Sequence, residues 1–498
     1  MEQKQNLLHL LTAEAIVSRR VHGSFAAFRS RIERTERSLP HATILMVLSH
    51  FGVGVEWLGF FAAFLHAPLR FTDEGGKTAP RRRLNGTPPS HSLSTVFSEC
   101  ILFCMDFAVN VRTSGSLLHR VADDLWFWSH GLPRVETAWA CVQGFIQTMG
   151  LSIDAAKTGA IRIEQDFVQD TRTESRLPRD KIRWGMLYFD PFTLHFVIDQ
   201  STVDEHITEL KKQLIAKKNG DGSVFAWIKV WNTYANTFAS NFGKTANCFS
   251  DVHVEGILLT YKRIQKQVFD GQSAVQYLRA MLTRRFGVQN IPDGFFFFPI
   301  GLGGLQMQCP FIKPNSVRDE LAVGLEQILG DFEFEEHMCY WKAEKRFDKL
   351  GSTRTAVPQA NSQFSSDQEG ASGPAGVRET EFLSFEDYIQ HRETLCESDV
   401  GTSPIADAYQ KLLHLHQPTE RDVSVDTHLG EALKALPGGH GTEITCRWDD
   451  MSAYWKWVTA LYGPEVLDKF RSLEIVNRDM LPVGVVEQAR SSRVSWNG

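Results

Sequence analysis

Asp123 and Asp124 stand side by side in LLHRVADDLWFWSHG, residues 117 to 131, between an apolar run and Leu125, Trp126, Phe127 and Trp128. Adjacent carboxylates repel one another unless a cation lies between them or water screens them. One use for such a pair is to hold divalent cations for phosphoryl transfer. That reaction needs an attacking hydroxyl activated and a leaving pyrophosphate neutralised, and little covalent chemistry from the protein. Magnesium, or manganese in its place, takes only one or two protein carboxylates and fills its remaining positions with phosphate and water. The plainer reading is that Asp-Asp starts a turn. Two further segments suit the chemistry. Lys157 follows in FIQTMGLSIDAAKT, and a lysine beside a leaving pyrophosphate supplies a proton or a charge. Upstream, GTPPSHSLSTVF offers Gly86, Ser90 and Ser94 at a helix start, where backbone N–H groups favour phosphate.

The elements that must position these residues follow from the apolar pattern. β-Branched and aromatic residues on both sides of Asp123-Asp124 outline a hairpin with the two aspartates as its turn. HATILMVLSHFGV, then Gly52 and Gly54, then EWLGFFAAFL read as helix, turn, helix over 41–71. HSLSTVFSECILFCMDFAVN gives a long apolar helix with Cys100 and Cys104 one turn apart, read as small buried residues. Residues 134–150 are helical, LSIDAAKTGAIRI is strand, turn, strand, and short strands over 184–198 lead into helices from 202 to 287. Further helical stretches fall near 404–415 and 450–475. The Ser-, Gly- and Pro-rich stretch 351–378 reads as a disordered linker.

The 498 residues suffice for two to four domains. A net charge of −6 rules out an argument for nucleic-acid binding from bulk basicity, so any such site must be a local patch. The eight cysteines are scattered without C-x-x-C or zinc-ligand spacing, which points to a reducing compartment. The N-terminus lacks the uncharged core of a signal peptide. The apolar stretch 51–71 is interrupted by Glu56 and His66, so no membrane span is expected. The expected location is intracellular, nuclear or cytoplasmic.

In this order, the segments resemble the palm of reverse transcriptases. GTPPSHSLSTVF is similar to the family's Gly-x-Pro-Gln-Gly-x-x-x-Ser segment, VADDLWFW to its Ala-Asp-Asp hairpin, and GLSIDAAKTG to its Gly-Leu-x-x-Asn-x-x-Lys-Thr segment. The nearest likeness is to domesticated single-copy reverse-transcriptase-like proteins of fungi, carried also by RWG, VIDQSTVDEHITELKKQL, NFGKTANCF and GGLQMQCPF. The resemblance implies an α+β fold. It divides the chain into an N-terminal remnant without fingers at 1–37, a partial palm at 38–198, a helical thumb at 199–290, a connection at 291–350, the linker, and a mostly helical, unassigned region at 379–498. It implies Asp123 and Asp124 as magnesium ligands and catalytic residues, Lys157 near the leaving group, and Gly86, Ser90 and Ser94 against nucleotide or template. The implied partners are nucleic acid and nucleoside triphosphates.

Three departures shape the expectation. The family's spacing places a third metal-binding aspartate near Arg31, and a guanidinium repels a cation. Glu33, two residues on and on the same strand face, is the nearest substitute. Pro89 and Ser90 stand where Gln-Gly is commoner, and the missing fingers make the chain look truncated. Three readings follow: a two-metal nucleotidyltransferase, a catalytically inactive palm and thumb that binds nucleic acid or a partner, and an unrelated helical scaffold with a chance Asp-Asp turn. Among single residues, Trp126, Phe127 and Trp128 suit either base stacking or core, with at least one expected in the core. Lys211, Lys212, Lys217 and Lys218 suit either a solvated helix face or phosphate contacts. Tyr188, Asp190 and Asp199 follow the RWG strand, where a third metal ligand could stand, though the acids are read as surface residues, and Trp227 and Trp231 are read as thumb core.

Overall fold

The computed structural model describes residues 2–33, 35–69, 80–88, 91–164, 176–219, 224–243, 250–317, 325–350, 382–385, 388, 404–415, 423–436, 443–477, 480 and 484. The expected linker at 351–378 and Ser90 lie outside these residues.

The fold is α+β, built around strand β1 (Ser24–Glu33). β1 pairs antiparallel with β5 (Asp124–Ser129) on one side. On the other it pairs with β6 (Ser152–Ile153) and β7 (Gly159–Glu164). β4 (His119–Val121) extends the sheet beyond β5. The alternation in SFAAFRSRIE assigns each face of β1 to a core. Phe28 and Ile32 pack with Leu125 and Phe127 beneath α5 (Ser92–Arg112) and α6 (Leu132–Met149). Phe25 and Ala27 pack with Trp126 and Ile163 in a second, larger core. A sheet buried on both faces favours an almost continuous apolar run. The two arginines that interrupt β1, Arg29 and Arg31, therefore require partners.

The larger core is closed by α1 (Glu2–His22) through Leu8, Leu11 and Ile16. A second antiparallel sheet, β8 (Arg183–Trp184), β9 (Leu187–Asp190) and β10 (His195–Ile198), adds Trp184, Phe189 and Phe196. So the segment read as an N-terminal remnant supplies both a packing helix and the central strand. Four helices follow: α7 (Gln200–Asn219), α8 (Val224–Phe238), α9 (Ser250–Val268) and α10 (Ala274–Phe286). Trp227 and Trp231, one turn apart on α8, are buried with ring centroids 6.4 Å apart, as expected of core. α10 opens with a capping box between Ser273 and Gln276 and ends at Gly287 in the left-handed region.

The C-terminal region shares this core. Helix α11 (Asp293–Phe297) packs against Ala453–Phe470, where Phe297 and Tyr462 stack at 4.6 Å. The helix pair His41–His50 (α3) and Val55–Leu65 (α4) lies where the sequence places it, and α4 buries only Leu65 fully. One described helix, α5, is long and apolar enough by composition to cross a bilayer. Its inner face, with Phe97, Ile101, Met105 and Val109, is core.

Candidate functional site

The hairpin forms as the sequence suggests, displaced by one residue. Val121 pairs with Asp124, so the turn residues are Ala122 and Asp123, and Asp124 is the first residue of β5. Ala122 has φ +55°, the left-handed value that tight hairpin turns demand at their first central position. The expectation of both aspartates in the turn is therefore corrected. Alternation along β5 turns Asp124 to the same face as Trp126, into the larger core, and only 2% of it is exposed. A carboxylate so buried has to be paired.

Its partner is Arg29. The Arg29 Nε and Nη2 lie 3.0 Å and 2.6 Å from the same Asp124 oxygen. Arg29 Nη1 donates to the Arg183 carbonyl, and the guanidinium lies over the Trp126 ring, 5.2 Å from its centroid. Burial pulls the Arg29 guanidinium below its ordinary pKa, with Asp124 opposing the shift. Arg31 stands directly opposite Asp124 in the strand register. Its side chain reaches Asp123, Nε to Oδ2 2.9 Å. That bond to Asp123 raises the Arg31 pKa. The backbone holds the turn here as well, since Ile32 N–H donates to the Asp123 carbonyl at 2.9 Å.

Lys157 joins the neighbourhood through Asp154. The Asp154 N–H donates to the Arg31 carbonyl at 2.9 Å, and Lys157 Nζ lies 3.1 Å from the Asp154 carboxylate. Asp154 also accepts from Ala156 N–H at the start of a 3-10 turn, and Thr158 Oγ1 donates to its carbonyl. Beyond Arg29, Arg183 Nε lies 3.7 Å from Asp199 Oδ2. Asp199 was expected at the surface, yet it is buried at the start of α7, where Ser201 donates from N at 3.2 Å and from Oγ at 2.5 Å. Burial works against its charge, but the bonds from Ser201 and the charge of Arg183 outweigh this and lower its pKa. Asp190 accepts from Phe192 N–H and Thr193 Oγ1 in the β9–β10 turn, and Lys181 sits over the Tyr188 ring.

The structure gathers Asp123, Asp124 and Lys157 around β1 and places Gly86 and Ser94 in another setting. Gly86, at φ +76°, donates to the Leu39 carbonyl at 2.8 Å, and its own carbonyl lies 2.7 Å from His41 Nε2. A Cβ there would fall 2.4 Å from the Arg37 carbonyl oxygen. Ser94 is fully buried and donates to the Pro88 carbonyl at 2.6 Å. Both tie the loop before α5 to the protein. Glu33, the candidate substitute ligand, accepts from Ser152 Oγ at 3.1 Å. Trp126 and Phe127 are core on opposite faces, and Trp128 stacks on His119 with centroids 4.1 Å apart. Lys211 pairs with Asp270.

Arg29, Asp154 and Arg183 were not singled out in the sequence. Arg29 and Arg31 carry the one signal that points to the site: two arginines two positions apart in an apolar strand share a face and need carboxylates. The donor set does not fit a magnesium pair, because each hairpin carboxylate already engages a guanidinium. Among the described residues no three of His, Cys, Asp and Glu are grouped to hold a metal ion.

No protein-family model and no curated protein sequence matches the chain. Solved structures similar in part include apo telomerase from Candida tropicalis, at 14% identity and TM-score 0.32, covering 57% of this chain and 47% of that one. The same enzyme truncated from its C-terminal domain aligns at 13% identity and TM-score 0.31, over 40% of each chain. Telomerase from Candida albicans, in complex with a TWJ fragment of telomeric RNA, aligns at 10% identity and TM-score 0.31, over 56% of this chain and 50% of that one. The chain thus spans about half the length, or less, of these telomerase structures.

Proposed function

We propose that this chain is a reverse-transcriptase-like palm and thumb that binds nucleic acid through phosphates and does not transfer nucleotides. The observation that carries the reading is Arg31: it occupies the register position opposite Asp124, where the family resemblance calls for a metal-binding aspartate, and its guanidinium lies on Asp123. Arg29 supplies the second positive charge, on Asp124. Two fixed guanidinium groups thus do the electrostatic work that two divalent cations would do between these carboxylates. Two-metal nucleotidyl transfer is then the ancestry of the hairpin, and magnesium and nucleoside triphosphates are not ligands of the present site.

The outward charge of the site supports phosphate as the ligand. In three neighbouring pairs the cation is the more exposed member: Arg31 at 37% against Asp123 at 26%, Lys157 at 45% against Asp154 at 22%, and Arg183 at 52% against Asp199 at 11%. Carboxylates face inward and basic groups face solvent. Such a surface attracts a polyanion although the whole chain is acidic.

The test is fluorescence anisotropy with labelled primer–template duplex and labelled single strand across a salt series. The reading expects affinity that falls steeply with salt, and a slope reduced by about one for each phosphate contact removed in Lys157→Ala and Arg183→Ala. Binding that is absent, or indifferent to salt and to both substitutions, overturns it.

A further inference from the structure

A cavity of about 190 Å³ opens between α8, α9, the short helix α12 (Ile312–Val317) and the helix Ala453–Phe470. None of its lining residues belongs to the hairpin site. Tyr261, Tyr454 and Trp457 supply aromatic walls, with Gln308 and Lys313 among the polar lining. Tyr261 is only 3% exposed, yet among the described residues its hydroxyl has no hydrogen-bond partner. That hydroxyl is not closed off within the core, so its open side faces the cavity it lines. Tyr454 accepts from the Cys309 N–H at 2.9 Å and keeps its own proton to give. The backbone of Gln308 is pinned, its N–H to Asn232 Oδ1 at 2.8 Å and its carbonyl to Trp231 Nε1 at 3.1 Å, while its carboxamide bonds no described residue. Burial pushes both phenols above their ordinary pKa, which keeps them protonated. Polar groups left unmatched in so enclosed a place are costly, and a ligand that bonds them removes the cost.

We propose that this cavity binds a pyrimidine nucleotide, with the base against the aromatic walls and the phosphate on Lys313. Size selects the base. A cavity of about 150 Å³ takes one benzene ring, so this one has room for a single ring and its exocyclic atoms, and the two fused rings of a purine exceed it. Aromatic side chains stack on the face of any base. The ring edge of a pyrimidine alternates carbonyl, ring nitrogen and a further carbonyl or amino group. A phenol hydroxyl and a carboxamide each donate and accept, so Tyr261 and Gln308 meet that edge in either pattern.

The charge of the lining fixes the sign of the ligand. Lys313 is exposed and makes no ion pair with a described residue, which leaves its ammonium for an anion. A cation is the poorer fit: aromatic rings attract one, but among the described residues no acid lines the cavity, and Lys313 repels it. The site lies apart from the phosphate contacts proposed at the hairpin and does not depend on them. Its base comes either from a bound strand or from a free nucleotide, and the two present the same ring and phosphate.

Saturation-transfer NMR on the full chain with UMP and with AMP tests the inference, with circular dichroism to establish that each variant is folded. The base protons of UMP are expected to saturate, and those of AMP far less. Tyr261→Phe keeps the ring and removes a hydroxyl that holds nothing in the fold, and it is expected to raise the UMP dissociation constant by about three- to tenfold. Trp457→Ala is expected to raise it by about tenfold or more. No saturation of either nucleotide means that the cavity holds water and overturns the proposal. Equal saturation of UMP and AMP overturns it, as does UMP affinity that both substitutions leave unchanged. Anisotropy with labelled oligo(U) and oligo(A) then separates the sources. Tighter binding of oligo(U) that Tyr261→Phe abolishes gives a base of the bound strand as the occupant, and equal binding of the two strands with UMP saturation intact gives the free nucleotide; each supports the site. A hairpin that contacts no phosphate removes salt-dependent strand binding and leaves the UMP signal, so the two proposals fail separately.

Discussion

Arg29 and Asp124 lie on neighbouring antiparallel strands and meet two positions off register, with two guanidinium nitrogens on one carboxylate oxygen. Their side chains are 6% and 3% exposed, so neither charge has water as an alternative partner. Removing one member strands the other, which costs about 3–5 kcal/mol at a buried site, whereas replacing both by apolar groups of similar volume is often neutral. Arg29→Met is therefore expected to destabilise the chain by that amount in urea unfolding, and the double variant Arg29→Met, Asp124→Leu to recover most of it. A single-variant loss below about 1 kcal/mol is inconsistent with a buried, committed pair.

The Arg31–Asp123 pair is partly solvated and contributes little to stability, in the range of about 0–1 kcal/mol. Its role is to occupy the position. Arg31→Asp would set a third carboxylate opposite Asp124, a donor set of the kind divalent cations prefer. Electron paramagnetic resonance titration with manganese is expected to detect tighter binding in Arg31→Asp than in the wild type. Equal binding by the two would mean that Arg31 does not block the site.

Gly86 illustrates a residue whose place in a motif and whose place in the fold differ. Its positive φ and the 2.4 Å approach of a Cβ to Arg37 leave no room for a side chain. Gly86→Ala is expected to lower stability by about 1–3 kcal/mol through strain in the loop before α5. A thermal midpoint unchanged from the wild type contradicts the backbone geometry.

Acid sensitivity follows from two imidazoles, His9, half-buried on α1, and His253, buried on α9. Burial lowers the pKa of His9 from 6.5 to about 4 and, with repulsion from His195 added, that of His253 to about 3. The unfolded chain takes up these protons near pH 6.5, so acid favours it. Their contribution is fully present above pH 6.5 and falls as pH drops toward 4 and then 3. The urea midpoint is expected to decline across that window, less steeply in a His9→Leu, His253→Leu variant. Parallel curves for the two proteins would place the acid sensitivity elsewhere.

Much of the secondary structure was legible because its signals are local. Gly52 and Gly54 separate α3 from α4, and the aromatic alternation of LWFW marks β5. The turn was misplaced by one residue, since Asp-Asp has the composition of a turn and only strand pairing reveals Ala122 at positive φ. The chemistry of the site was less legible, because it depends on partners far apart in sequence. Nothing local to Asp124 announces Arg29, and nothing local to Arg183 announces Asp199 or the bond from Arg29. Gly86 and Ser94 matched a motif by order along the chain, and order does not say which side chains turn toward the hairpin.

Primer extension tests the central claim most directly: purified chain, a labelled primer on RNA and on DNA templates, and magnesium or manganese, alongside the Asp123→Asn, Asp124→Asn variant. With both hairpin carboxylates held by arginines, neither protein should extend the primer, and circular dichroism establishes whether the variant, in which Arg29 loses its buried carboxylate, is still folded. Metal-dependent extension by the wild type that vanishes in the variant would contradict the account and restore Asp123 and Asp124 as metal ligands.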